Sequence, residues 1–318
     1  MSTTYSNQFS RCQNWDLKEA ARVAVATKVA VEEVLRVRTD EGVLIISNPE
    51  PAVSLIAQAL FDAAVCVGAN PVLIYQPVKT QMDFADPHVI AAFQAKPAVV
   101  ISLSAEKLGK DEQGIKRPYS HNGKTYDHIF HLQLYGEKSC RAFWSPGTTV
   151  ESFIRTVPID YRLLAQRCKA IKEILDRAVE VRVTAPGGTD IRIGLRGRQA
   201  MTDDGDFSLP GSGGNLPAGE TFISPENCTA RGCIVFDGSM SLHNRDILIE
   251  ESICCTVNDG YITHIEGGSE AQELLHTLTL AEQQALEYEA AGRLPPGNGK
   301  IYAKNARNIG ELGIGLNP

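Results

Sequence analysis

The first half of the chain alternates short apolar runs with segments of helical length. Apolar runs at 43–47, 71–75 and 98–103 suit buried strands, and segments at 52–67 and 87–94 suit helices. Short apolar strands separated by helices are typical of a parallel sheet with right-handed crossovers. The pattern therefore predicts an α/β N-terminal domain with a parallel sheet over residues 1–157.

The second half changes to strict alternation of apolar and charged residues. Val179, Val181 and Val183 alternate with charges, and a turn at 185–190 leads into a returning strand, which predicts a hairpin. A second hairpin is predicted around 258–260, a helix begins at Ser269 with a Ser-x-x-Gln capping box, and a separate helical piece follows at 281–291. These elements predict a mixed, β-rich C-terminal domain of the α+β kind over residues 158–318.

Composition and charge narrow the possible partners. The 318 residues carry a formal net charge of −7 and no run of Lys or Arg, which makes nucleic acid or an anionic membrane a poor partner. The N-terminus has no apolar core of a signal peptide, and no apolar stretch is long enough to cross a bilayer. With no export signal, the eight cysteines are expected to be reduced thiols of a cytoplasmic protein.

Common catalytic fingerprints are missing from the sequence. No glycine-rich phosphate loop follows any predicted strand, so nucleotide binding has no support beyond the fold. No serine elbow is present, and no cysteine has the context of a nucleophile. Therefore no catalytic residue is assigned.

Two glycine-rich loops each carry one glutamate. Glu220 lies in the loop 211–228, and Glu311 lies in the segment 305–318. Glycine-rich loops allow close approach of the backbone to a ligand or metal, although each could also be an ordinary surface connection. Two other candidates have simpler explanations: turn chemistry for the acidic segment 202–207, and packing for the His128–His131 pair.

Together the two loops resemble a known family. NLPAGETFISP around Glu220 and NIGELGIGLNP around Glu311 are similar to the two glutamate motifs of the aminopeptidase T (AmpS-like) metallopeptidases. The segment 143–168 and the hairpin after it resemble that family's interdomain helix and first C-terminal hairpin. The resemblance implies a metal-dependent aminopeptidase that acts on peptides from their N-terminus and forms a homodimer.

The resemblance also implies a metal site. Glu220 and Glu311 would be two ligands of a dinuclear centre of zinc, cobalt or magnesium, since carboxylates are hard donors and can bridge two cations. In the family, histidines, a tyrosine and a His-x-Asp pair follow the second glutamate motif, whereas this chain ends at Pro318. The remaining ligands are therefore expected to be absent, either because the chain is a fragment or because it has lost its tail.

Two alternatives remain open. Ring-opening dioxygenases that act on dihydroxypyridines share the fold with a mononuclear iron site, and retention of both glutamates argues against that class. The other alternative is a non-catalytic, truncated paralogue that acts as a binding or dimerising protein.

Overall fold

A computed structural model describes residues 17–80, 83–242 and 245–318. The chain divides into two compact units. The first comprises Met1–Cys168, Asp203–Glu220 and Gly315–Pro318, and the second comprises Lys169–Thr202 and Thr221–Ile314. The predicted division into residues 1–157 and 158–318 stays a prediction.

The first unit is built on a five-stranded, all-parallel sheet, which confirms the predicted α/β architecture. The strand order is β10-β6-β3-β1-β2. The strand bounds are β1 Gly42–Ser47, β2 Asn70–Tyr75, β3 Val99–Leu103, β6 Arg141–Trp144 and β10 Gly213–Asn215; a separate hairpin is formed by β4 Tyr119–His121 and β5 Lys124–Tyr126.

Helices connect these strands. The first, α1 Leu17–Val29, continues as a π-helical turn over Ala30–Val34. The sequence predicts Asp16 as the N-cap of a helix that runs towards Arg36, and Asp16 lies outside the described residues. The other helices are α2 Pro51–Cys66, α3 Pro87–Gln94, α4 Glu112–Lys116, α5 Ile129–His131, α6 Val150–Thr156 and α7 Tyr161–Leu175, the last of which leads into the second unit.

Both faces of the parallel sheet are buried, which explains the continuous apolar runs. Along β1, Val43 and Ile45 pack into one core with α1 and α2, while Leu44 and Ile46 pack into a second core on the opposite face. Successive side chains of a strand point to opposite faces, so a strand covered on both sides must be apolar throughout.

The segment 114–140 is part of the second of these cores. The sequence alone leaves this polar, aromatic segment open as a long excursion or a lid, because it has no clean periodicity. In the structure Ile129, Phe130 and Leu134 are buried in the core. The apolar residues of its short helical turns thus supply packing that periodicity does not reveal.

The second unit is β-rich, as predicted. Its main sheet is antiparallel with the order β16-β15-β12-β8-β7, and a three-stranded sheet has the order β17-β11-β9. The bounds are β7 Glu180–Thr184, β8 Asp190–Gly194, β9 Met201–Asp203, β11 Glu220–Ile223, β12 Arg231–Phe236, β13 Ser239–Ser241, β14 Asp246–Leu248, β15 Ile253–Asn258, β16 Tyr261–Glu266 and β17 Leu312–Gly315.

Two helices complete the second unit: α8 Ser269–Ala290 and α9 Asn298–Asn305. The sequence predicted two pieces within α8, but the structure has one helix of 22 residues. The predicted capping box is also wrong. The N-cap is Gly268, without a side-chain cap, and the Ser269 hydroxyl donates instead to Glu270. No proline or glycine interrupts residues 269–290, so the helix continues.

None of the helices within residues 17–80, 83–242 and 245–318 is both long enough and apolar enough to span a membrane.

Candidate functional site

A cavity of about 610 Å³ lies in the first unit, where the segments Asp203–Glu220 and Gly315–Pro318 meet α6. Helix α6 contributes Ser152 and Arg155, the end of β9 contributes Asp203, and the first residue of β11 contributes Glu220. Asn317 also lines this space. We call this space the acceptor cavity, because oxygen acceptors dominate its polar groups.

Asp203 is an acid of the cavity whose pKa is strongly raised. Burial first, and the nearby charge of Glu220 second, raise the pKa of its carboxyl to about 7, against backbone hydrogen bonds from Asn215 and Gly205 that lower it. Its Oδ1 is buried and has no hydrogen-bond partner. Gly214 leaves room for this atom, since a Cβ there would lie 2.9 Å from Oδ1. The carboxyl is thus held with one oxygen unused.

Asn317 presents a second unused oxygen. Its Nδ2 donates to the carbonyls of Ala218 at 2.7 Å and Thr156 at 3.0 Å, which fixes the amide plane. Its Oδ1 is buried and has no partner. Buried polar atoms are nearly always hydrogen-bonded, so two unpaired oxygens lining one cavity indicate a ligand or ion that would satisfy them.

Gly219 holds the C-terminal residues against the cavity. It has a positive φ of 138°, its carbonyl accepts from the Leu316 N–H at 2.7 Å, and an added Cβ would lie 2.7 Å from the Asn317 Cβ. Only glycine fits this conformation and this close approach without strain.

Replacing Gly219 by alanine is therefore expected to displace Asn317 and to lower the free energy of unfolding by about 1–3 kcal/mol. Urea denaturation measures the loss. The control is Gly292→Ala, which shares a positive φ but has open space around its Cβ. Equal losses in the two variants would show that the contact with Asn317 contributes nothing.

The cavity has an excess of acceptors over donors. Among the described residues, Arg155 on the exposed face of α6 is the one cationic side chain that lines the cavity, together with the acids Asp203 and Glu220. Such a site complements a ligand that donates hydrogen bonds, or a cation, and it disfavours an anion.

The two predicted metal ligands fall in different parts of the chain. Glu220 is half-buried and lines the acceptor cavity, whereas Glu311 belongs to the second unit and is exposed just before β17. Their assignment as metal ligands stays a prediction. Across the described ranges, no group of three His, Cys, Asp or Glu side chains is placed to hold a metal ion.

Sequence reasoning missed Asp203 and Asn317. The signal for Asp203 was the acidic segment 202–207, for which turn chemistry was the preferred explanation. That explanation holds for its other two acids: Asp204 accepts from the Asp206 N–H, and Asp206 accepts from Ser208. Asn317 carried no signal, since its contacts with Thr156 and Ala218 span 161 and 99 residues.

The His128–His131 pair is a packing feature, as the sequence favoured. His128 Nδ1 accepts from the Phe130 N–H, and its Nε2 lies 3.2 Å from the Gly109 carbonyl oxygen. Burial, and secondarily the neighbouring His131, lowers the pKa of His128. The imidazole is therefore neutral at pH 7, with both nitrogens used.

Part of the chain is similar in sequence to dihydroxypyridine dioxygenases. The family model described as "NicX: 2,5-dihydroxypyridine 5,6-dioxygenase" matches residues 148–288. The 2,5-dihydroxypyridine 5,6-dioxygenase of Pseudomonas putida KT2440 is 31% identical over 110 residues, which cover 34% of this chain. The alignment spans 31% of that relative's length.

Two solved structures share the fold. The 2,5-dihydroxypyridine dioxygenase of Pseudomonas putida KT2440 superposes with a TM-score of 0.58 at 19% identity, covering 80% of this chain and 71% of its own. Wild-type AmpT of Thermus thermophilus superposes with a TM-score of 0.55 at 15% identity, covering 93% and 78%. At these identities the likenesses show the fold alone.

The predicted metallo-aminopeptidase is wrong. The family model and the curated relative both indicate a dioxygenase, an oxidoreductase rather than a hydrolase of peptide bonds. The resemblance to aminopeptidase T reflects the shared fold. Retention of Glu220 does not argue against the dioxygenase class, because the matched region 148–288 contains its loop.

Proposed function

We propose that this chain binds a hydroxylated pyridine ring and acts in its oxygen-dependent opening. The observation that carries the proposal is the match over residues 148–288, which includes Asp203 and Glu220, the two acids of the acceptor cavity. The site therefore lies where similarity to the dihydroxypyridine dioxygenases is concentrated.

The chemistry of the cavity suits such a ring. A hydroxylated pyridine carries O–H groups, and its pyridone tautomer carries an N–H, so it offers the donors that Asp203 Oδ1 and Asn317 Oδ1 lack. The volume of about 610 Å³ is within the range of small-molecule sites and leaves space for a second reactant beside one six-membered ring.

Asp203 is the residue best suited to take a proton from the ring. Its pKa of about 7 leaves a substantial fraction of the carboxyl ionised at neutral pH. A general base with a pKa near the working pH is both present in its ionised form and basic enough to take a proton. Deprotonation of a ring hydroxyl raises the electron density of the ring, which favours its reaction with dioxygen. Both oxygen atoms enter the opened product, so no external reductant is needed.

Dioxygen chemistry of this kind uses a redox cofactor, commonly non-haem iron, which when bound supplies activation of O₂. The match to the dioxygenase family model agrees with a metal-dependent activity in general. That the metal is zinc, cobalt or magnesium, and that two ions are bound, stay predictions. The described residues do not fit a two-histidine, one-carboxylate iron site, since the metal-ligand atoms that the lining carboxylates and amides offer are oxygens and no histidine among the described residues lines the acceptor cavity.

The proposal is tested by oxygen consumption and loss of ring absorbance with 2,5-dihydroxypyridine, with and without added Fe²⁺, and by calorimetry of ring binding under anaerobic conditions. We expect saturable binding that weakens at least tenfold in Glu220→Gln and Asp203→Asn, because each change removes an acceptor charge. The matched control is Glu226→Gln, a change in the same matched region at a side chain that does not line the cavity.

Absence of both binding and turnover with every dihydroxypyridine isomer would refute the proposal. If Glu226→Gln weakened binding equally, the ring would not be bound in the acceptor cavity. The expectation of a homodimer stays a prediction, which sedimentation of the same samples measures.

A further inference from the structure

A second cavity, of about 450 Å³, lies in the first unit at the carboxyl ends of the parallel strands. Ser104 follows β3, Trp144 ends β6 and Asn215 ends β10, and all three line it. Because the three strands are parallel, their carboxyl ends meet at one edge of the sheet, where open α/β sheets bind their ligands. We call this space the aromatic cavity.

Five aromatic rings are among the described residues that line it: His128, Phe130, His131, Tyr135 and Trp144. The Phe130 and His131 rings stack with centroids 6.2 Å apart at 30°, His131 and Tyr135 lie 6.0 Å apart at 37°, and Phe130 meets Trp144 edge-on at 6.2 Å. Tyr135 is 49% exposed, and Trp144 is partly exposed. Ring faces at the wall are therefore open to a further planar group, which would stack on them.

The polar groups of the aromatic cavity include two buried hydroxyls. Ser102 and Ser104 are 4% and 2% exposed, and their Oγ atoms are 3.3 Å apart. One hydroxyl donates to the other, so the pair retains one O–H for a ligand. Asp111, in contrast, is committed: its carboxylate accepts from the N–H groups of Gly114 and Ile129 and from the Tyr119 hydroxyl.

Charge does not favour an anionic ligand here. The lining includes Lys107 and Lys110, but also Glu106 and Asp127, so the cations are matched by acids in addition to Asp111. No glycine-rich phosphate loop follows β3 in the sequence. A phosphorylated or strongly anionic ligand would thus lack the groups that usually hold it.

We propose that the aromatic cavity binds a planar, uncharged heteroaromatic ring, stacked on the exposed rings of its wall and hydrogen-bonded by the Ser102–Ser104 pair. A ring nitrogen or carbonyl accepts the retained hydroxyl hydrogen. The aromatic cavity shares the lining residue Asn215 with the acceptor cavity, but it offers a hydroxyl donor where the acceptor cavity has unpaired oxygens. The proposal therefore goes beyond the proposed function and does not depend on it.

The experiment uses quinoline at pH 8, where the ring is uncharged, with the Trp15→Phe variant of the full chain as the background. Trp144 is then the one tryptophan left. We expect saturable quenching of its fluorescence with a calorimetric stoichiometry of one. Tyr135→Ala is expected to weaken binding at least about fivefold through loss of stacking. The double change Ser102→Ala and Ser104→Ala is expected to weaken it as well, because both hydroxyls must be removed to eliminate the retained O–H donor.

The matched control is Tyr302→Ala, an equally exposed tyrosine of α9 in the second unit, which should bind quinoline as the background does. Cyclohexanol, which is similarly apolar but not planar, should not compete. The proposal is overturned if quenching does not saturate, if cyclohexanol competes equally, or if Asp203→Asn abolishes binding while Tyr135→Ala leaves it unchanged. The last result would place the ring in the acceptor cavity.

Discussion

Replacing Arg141 by methionine is expected to lower the free energy of unfolding by about 3–5 kcal/mol. Arg141 is 3% exposed, and its guanidinium binds the Glu41 carboxylate at 2.6 and 3.1 Å. It also donates to the carbonyls of Leu35 and Arg36 at the end of α1's π-helical turn. Removal leaves two carbonyls without this donor and takes the arginine from the partly buried Glu41 carboxylate, which keeps the Arg38 N–H; methionine cannot replace the lost hydrogen bonds.

The loss of stability in Arg141→Met should become smaller as the pH is lowered. Burial opposes ionisation of Glu41, but the hydrogen bond from Arg141 outweighs it together with the other favourable contacts, so the pKa of Glu41 is lowered. The pair therefore stabilises the fold above the ordinary pKa of glutamate, and this contribution is lost as pH falls through the lowered value. The stability gap between wild type and Arg141→Met should narrow with acidification.

Urea denaturation at pH 7 measures the gap, with Arg22→Met on the exposed surface of α1 as control. Glu41→Gln should cost less, because arginine keeps its two carbonyl acceptors. Arg141→Met with wild-type stability at pH 7 would show that this network does not hold β6 to the end of α1.

The elements of the fold were predictable from sequence because their signals are local. Strand β1 was predicted at 43–47 and is found at Gly42–Ser47, and α3 was predicted at its observed bounds of Pro87–Gln94. Buried strands and helix lengths depend on residues a few positions apart, which periodicity reports directly. Alternation likewise predicted the hairpin β7–β8.

The sites were less predictable because long-range contacts create them. Arg141 pairs with Glu41 across 100 residues, and Asn317 reaches Ala218 across 99. Asp203 looked like one of three turn-forming acids, and only its burial beside Glu220 separates it from Asp204 and Asp206. Among the residues of the acceptor cavity, Glu220 could be identified from its glycine-rich loop. Its chemistry was misassigned, because the loop was compared with aminopeptidase T.

An opposite effect on stability is expected at the acceptor cavity, where Asp203→Asn should stabilise the protein at pH 8. The folded-state pKa of about 7 lies above the ordinary value of 3.8. The folded state thus holds the proton more tightly than the unfolded state. Its contribution to stability is fully present below pH 3.8 and is lost as pH rises through 7.

At pH 8 the buried, ionised Asp203 should therefore cost roughly 2–4 kcal/mol, given about 1.4 kcal/mol per unit and some solvent screening. Asparagine keeps the shape and removes the charge, so the variant should gain that amount at pH 8 and less than half of it at pH 5. Urea denaturation at both pH values measures the gain, with Asp62→Asn on the exposed surface of α2 as the control.

The same variant separates stability from function. If Asp203 is kept as a carboxylate for the proton of a hydroxylated ring, Asp203→Asn should be more stable at pH 8 and at the same time bind or turn over the ring poorly. Such a trade is expected where a charge is retained in a buried site for its chemistry. Equal stability of wild type and variant at pH 8 would mean that Asp203 is solvated there. Its pKa would then not be raised, and it would not be suited to act as the general base.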